Sequence, residues 1–157
     1  MANTSPGWSF LREGARTAMF GSATITSMER FVTLPSGAEV RGRRLRDAAE
    51  PVDFGLILGT GPAPAWPHRR IAWPDFWVPT DRADALDALR EAHRRATAGE
   101  RVEVACRGGV GRTGTALAAL AVLDGLSPAE AVALVRRTYH RRAVETPWQR
   151  RWLSSVR

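Results

Sequence analysis

The sequence predicts an α/β domain whose central sheet is mixed and largely parallel, with helices flanking it. Three observations carry that prediction. Phe54-Gly55-Leu56-Ile57-Leu58-Gly59 is a short unbroken apolar run, the composition of a strand buried on both faces. Residues 69–105 read as strand, helix and strand, and a crossover of that length favours parallel strands with a right-handed connection. Residues 101–105 then pass through a glycine-rich loop directly into a helix rich in alanine and leucine, residues 113–123.

Taken in order, residues 1–30 show no clear period and form a poorly defined N-terminal segment. Ser5-Pro6-Gly7 reads as a turn there, and Trp8, Phe10 and Phe20 are available to cover part of the core. Residues 31–34 and 38–45 flank Pro35-Ser36-Gly37, the pattern of a hairpin. Arg41, Arg43, Arg44 and Arg46 make a basic stretch, either a solvated strand face or part of a substrate rim. Residues 60–67 are turn-rich loop, and residues 69–73 form a further strand.

Thr80 or Asp81 caps a helix running to about Ala98, with Ala83, Leu86, Leu89, His93 and Ala96 near one face and Gly99 closing it. Ser127-Pro128-Ala129-Glu130 is a capping box with proline at the first helical position, opening a helix to about His140. Thr146-x-x-Gln149 opens the last helix in the same way. Tyr139 and His140 receive no catalytic role, and His93 reads as a helix-face residue.

Composition sets the frame. A chain of 157 residues is expected to form one domain, 1–157, and its 44% apolar and 25% charged content are those of a globular protein. The net charge is +7, and all 23 basic residues are arginine, spread in pairs rather than in one block. Such a charge favours an acidic or phosphorylated partner. No nucleic-acid motif accompanies it, so a specific nucleic-acid partner is not expected. The longest strictly apolar run, residues 116–123, is too short to span a membrane. A single cysteine forms no internal disulfide, and the first residues lack the basic start and apolar run of a secretory signal, so the expected location is cytoplasmic.

The chemistry concentrates in Cys106-Arg107-Gly108-Gly109-Val110-Gly111-Arg112-Thr113. A glycine-rich backbone between a strand and a helix turns its N–H groups inward, and the helix N-terminus adds a positive dipole end, so the loop suits a phosphate-sized anion. Cysteine attacks as the thiolate, which a helix N-terminus and nearby arginine favour. Arg112 offers a planar fork able to hold two phosphoryl oxygens at once. A lone cysteine beside a turn can also be merely buried. Gly109-x-Gly111-x-x-Gly114 fits the dinucleotide-binding fingerprint as well, but that motif needs a following strand ending in an acid. Here residues 127–130 start another helix instead. A P-loop nucleotide triphosphatase is excluded because the chain contains no lysine.

The Cys-x5-Arg-Thr spacing resembles the cysteine-based protein-tyrosine phosphatase superfamily, in the manner of its small, bacterial, dual-specificity-like members. The family's usual histidine, which helps tune and hold the nucleophile, is Ala105 here. Trp73-Pro74-Asp75-Phe76-Trp77-Val78-Pro79 resembles the same family's mobile acid loop. Its apolar neighbours are expected to desolvate Asp75, which would then carry a proton to a leaving group. The resemblance spans roughly residues 73–149 and implies a phosphatase-like fold and phosphomonoester hydrolysis through a phosphocysteine.

In that scheme Cys106 is the nucleophile and Asp75 the acid. Arg112 and the amides of Arg107, Gly108, Gly109, Val110 and Gly111 hold the phosphate, and Thr113 hydrogen-bonds the sulfur. Gln149 matches a family glutamine that orients the hydrolytic water, while the capping box accounts for it without catalysis. No metal or cofactor is implied. Phe76 and Trp77 would wall a pocket for an aryl phosphate, so a phosphotyrosine protein is the first substrate expected, with a small phosphomonoester also possible. Arg107 instead resembles basic residues of relatives acting on phosphoinositides or inositol phosphates. Ala105 leaves a third reading open, a phosphate-binding module with weak turnover. An accessible thiolate would also oxidise readily, as a side property.

Overall fold

The computed structural model describes residues 30–157, so the turn expected at Ser5-Pro6-Gly7 and the aromatic residues Trp8, Phe10 and Phe20 lie outside the described residues. The elements in chain order are β1 (Arg30–Thr33), β2 (Glu39–Arg44), β3 (Phe54–Leu58), β4 (His68–Ile71), α1 (Arg82–Thr97), β5 (Val102–Cys106), α2 (Gly111–Leu123), α3 (Pro128–Thr138) and α4 (Pro147–Trp152). A 3₁₀ turn, Leu153–Ser155, follows α4. The expected strand of residues 69–73 is shorter and shifted, ending at Ile71, which leaves Trp73 at the start of the loop.

The strands form one mixed sheet in the order β1-β2-β5-β3-β4. β1 and β2 are the expected antiparallel hairpin, closed by the Gly37 N–H donating to the Leu34 carbonyl with Gly37 at φ 93°. That backbone angle suits a residue without a Cβ. All other neighbouring strands are parallel, with β5 at the centre and Leu58 of β3 in register with Cys106. The C-terminal ends of β3, β4 and β5 therefore share one edge, where ligands bind in open α/β sheets.

Alternation along β5 assigns its residues to two faces. Val102, Val104 and Cys106 join the large core with the apolar residues of all four helices, while Ala105 sits in a separate small cluster with Leu45 and Ile57. Glu103, on the same side as Ala105, is fully buried. It accepts from Arg41 Nη2 at 2.7 Å, from Arg43 Nε at 2.6 Å and Nη2 at 3.0 Å, and from Trp66 Nε1 at 2.9 Å. Arg41 and Arg43 are therefore neither a solvated face nor a substrate rim. They are 0% and 3% exposed, and they neutralise a carboxylate that could not otherwise be buried. Arg43 also donates to the carbonyls of Leu45 and Asp47, tying down the turn after β2.

The cap of α1 is Asp81, whose carboxylate accepts from the Asp84 N–H at 3.0 Å. Its buried face is Ala85, Leu86, Ala88, Leu89, Ala92 and Ala96, so the face is rotated from the expected one and Ala83 is exposed. Alanines on several sides of this helix gave the period little contrast. His93 lies on the helix flank and bonds Asp124 through Nε2 at 2.8 Å. Both expected capping boxes, Ser127 with Glu130 and Thr146 with Gln149, are present.

Candidate active site

Cys106 is the last residue of β5 and is 2% exposed. Its sulfur accepts from the Gly109 N–H at 3.1 Å and from Thr113 Oγ1 at 3.0 Å. Each of these bonds places a donor hydrogen against the sulfur. The loop between them is compact because Gly109 takes φ 70°, a left-handed angle, and backs onto Arg44. An added Cβ on Gly109 would lie 2.8 Å from the Arg44 nitrogen.

α2 begins at Gly111, so Arg112 and Thr113 occupy its first turn. Asp81, Ser127 and Thr146 cap α1, α3 and α4 with their side chains, but Val110 gives α2 no side-chain cap. Its first N–H groups and its positive dipole end are left for an anion beside the sulfur.

The Arg112 side chain is 6% exposed and reaches from α2 across to the acid loop. Nη1 donates to the Trp73 carbonyl at 3.0 Å and the Leu58 carbonyl at 3.5 Å. Nε faces Asp75 Oδ1 at 3.5 Å and makes no hydrogen bond. Gly59, φ 81°, leaves the room that the guanidinium takes, since an added Cβ would collide with Arg112 Nη1. The sequence offered no signal for that role beyond a glycine at a strand end.

The acid loop is clasped from the C-terminal side. Trp73, 2% exposed, packs on Trp152 at a ring-centroid distance of 5.5 Å and donates from Nε1 to the Trp77 carbonyl at 2.7 Å. Gln149 Nε2 donates to the same carbonyl at 3.0 Å, and Trp148 Nε1 donates to the Phe76 carbonyl at 2.5 Å. Phe76 sits at φ 60°, an outlier for a bulky residue. Asp75 itself is 62% exposed and accepts from the Phe76 N–H. The aromatic neighbours do not bury the carboxylate as expected: Trp73 packs on Trp152, Trp77 stacks on Trp148 and Phe76 is itself exposed.

Beside this constellation lies an open cleft of about 460 Å³, with Arg70, Asp75, Arg107 and Arg112 among the side chains lining it. Phe76 and Trp77 do not line it. Phe76 is 54% exposed, and Trp77 stacks on Trp148 at 5.3 Å. Cys106, Gly109, Arg112, Thr113 and Asp75 are thus brought together, and Arg107 and Gly108 are exposed, Arg107 toward the cleft. Gln149 is fully buried with its amide engaged at both ends, Oε1 accepting from the Glu145 and Thr146 N–H groups and Nε2 on the acid loop. Tyr139, given no role from sequence, is buried beneath the loop with its hydroxyl donating to the Gly109 carbonyl. No group of His, Cys, Asp and Glu able to hold a metal ion occurs among the described residues.

A family model described as protein-tyrosine phosphatase matches residues 64–148, a span holding both the acid loop and the cysteine loop. The human tyrosine-protein phosphatase non-receptor type 4 is 36% identical over 89 residues, covering 53% of this chain but 10% of that protein. Among solved structures, Tk-PTP in its active form superposes with TM-score 0.65 at 27% identity, over 80% of this chain and 95% of that one. Kinase associated phosphatase, solved with its catalytic cysteine replaced by serine, gives TM-score 0.70 at 14% identity, over 83% and 93% of the two chains, a likeness of fold.

Proposed function

The chain belongs to the protein-tyrosine phosphatase family, and we propose that it hydrolyses phosphomonoesters through a phosphocysteine on Cys106. The observation that carries this reading is the sulfur with two donors on it, at the uncapped start of α2, beside a buried guanidinium that faces Asp75.

The Cys106 thiolate attacks phosphorus while backbone amides of the loop from Arg107 to Arg112, apart from the Gly109 N–H held on the sulfur, and the Arg112 guanidinium hold the non-bridging oxygens. The bond from phosphorus to the leaving oxygen breaks, and the Asp75 carboxyl gives that oxygen its proton. Water then attacks the phosphocysteine, Asp75 takes a proton from it, and the phosphorus–sulfur bond breaks to return the thiolate. The Thr113 hydroxyl stabilises that departing sulfur. Hydrolysis of p-nitrophenyl phosphate by the wild type, lost in Cys106→Ser, tests the proposal. A wild type that binds oxyanions and turns over no better than Cys106→Ser would make this a phosphate-binding module.

Two substrate readings follow from the family and from the cleft. A phosphotyrosine protein fits the family model, with Phe76 exposed on the acid loop though outside the cleft lining. A small polyanionic phosphomonoester such as an inositol phosphate fits the cleft lining of Arg70, Arg107 and Arg112. Arg70 is held at its rim by bonds to the Gly59 and Gly61 carbonyls. Comparing kcat/KM on phosphotyrosine peptides and inositol phosphates, in wild type and Arg70→Ala, separates the two. A protein that works through its one reduced thiol needs a reducing compartment, which favours the cytoplasm.

A further inference from the structure

We propose that Tyr139 is the positioning residue of the anion cradle. Its phenol fixes the peptide between Gly109 and Val110, so that the Val110 N–H points at the oxyanion bound over Cys106. The proposal rests on the anion-binding reading of the cysteine loop given above.

The argument begins with the peptide unit. Tyr139 follows the last residue of α3, is 1% exposed, and donates its hydroxyl to the Gly109 carbonyl. In a trans peptide the carbonyl and the N–H of the next residue point in opposite directions. Anchoring the Gly109 oxygen on the core side therefore turns the Val110 N–H to the opposite, outer side. The peptide before it is fixed as well, because the Gly109 N–H is held on Cys106 Sγ at 3.1 Å. The two peptide planes flanking Gly109 are thus pinned, one by the sulfur and one by the phenol, and joined at φ 70°.

The protein makes room for this arrangement. An added Cβ at Gly42 would lie 2.5 Å from Tyr139 Cε1 and 2.8 Å from Cζ, so β2 carries a gap that the ring fills. Burial, and then the negative charge of Cys106, push the Tyr139 phenol up from its ordinary value. It stays a donor through the neutral range, and a donor is what the carbonyl requires. Position 105 does not supply a comparable restraint. Ala105 points to the other face of the sheet, against Leu45 and Ile57.

The test is Tyr139→Phe, which keeps the ring and removes the hydroxyl. Calorimetry should show tungstate binding about tenfold weaker. Alkylation of Cys106 by iodoacetamide at fixed pH should be slower, with the circular dichroism of the wild type retained. Gly42→Ala, which pushes the ring from beneath, should weaken tungstate in the same direction, and the double variant should bind no worse than the weaker single. A purely structural tyrosine would lower the melting midpoint and leave tungstate affinity and alkylation at wild-type values, which would overturn the proposal. In the wild type, the Val110 amide resonance should move on tungstate titration. A resonance that stays put would overturn it without any variant. These readouts need no turnover, so a wild type inert on p-nitrophenyl phosphate would sink the phosphatase reading and leave the role of Tyr139 decided.

Discussion

Arg112 Nε faces Asp75 Oδ1 across 3.5 Å, the first side chain buried and the second exposed. The guanidinium is held from behind by the Trp73 carbonyl, and an incoming phosphate would compete with Asp75 for its front. Arg112→Lys keeps a charge but loses the planar fork. The expected result is a fall in kcat/KM of roughly 10² or more, read with p-nitrophenyl phosphate. A lysine variant with wild-type kinetics would mean that the fork does not touch the transferring group.

With Asp75 as the proposed acid, the effect of replacing it should depend on the leaving group. Asp75→Asn should cost phenyl or alkyl phosphates about 10²–10⁴ in kcat/KM, because their leaving oxygens need a proton. It should cost p-nitrophenyl phosphate far less at the same step. A plot of log kcat/KM against leaving-group basicity checks this, and an unchanged slope in the variant would count against Asp75 as the acid.

Gly59 makes a sharper test because it carries no side chain and bears on the reaction through the guanidinium packed against it. An alanine there meets Arg112 Nη1 and must also hold φ 81°. Displacing the guanidinium by about 1 Å should lower kcat/KM on the order of 10²-fold. Tungstate affinity should fall with it, and the circular dichroism should remain that of a folded chain.

The buried Glu103 governs acid stability. Burial pushes its carboxyl up, but the Arg43 bond and the charges of Arg41 and Arg43 outweigh that, leaving it below the usual carboxylate range. A depressed folded value stabilises the protein above the unfolded value of about 4.3, and that contribution is lost as pH falls through the folded one. Glu103→Gln should cost roughly 3 kcal/mol or more at neutral pH, because Arg41 and Arg43 stay buried without their anion. Its stability should also fall less steeply below about pH 4 than that of the wild type, measured by denaturant unfolding.

What could be read from sequence was local. Cys106, Arg112 and Thr113 lie within eight residues, and loop chemistry plus a strand–helix junction place them together. The β4–α1–β5 unit placed Asp75 on the same sheet edge through handedness and parallel pairing. What stayed hidden depends on partners far along the chain. Arg41 and Arg43 looked solvated because Glu103 lies about 60 residues away. Tyr139 sits 30 residues from Gly109, and only the packing of α3 over the gap at Gly42 joins them. The α1 face was placed in part, with Leu86, Leu89 and Ala96 buried but Ala83 exposed, because alanine occupies positions on both its sides. The desolvation of Asp75 failed for a different reason. Neighbouring aromatic rings bury a carboxylate only if they fold over it, and Trp77 turns to Trp148 instead.

The central claim is a covalent bond between phosphorus and Cys106 Sγ. Asp75→Asn, mixed with p-nitrophenyl phosphate and quenched in acid within its first turnovers, should yield a phosphate adduct on the peptide containing Cys106 by mass spectrometry, with none in Cys106→Ser. Turnover of the ester with no adduct on Cys106 at any quench time, or an adduct on another residue, would contradict the account.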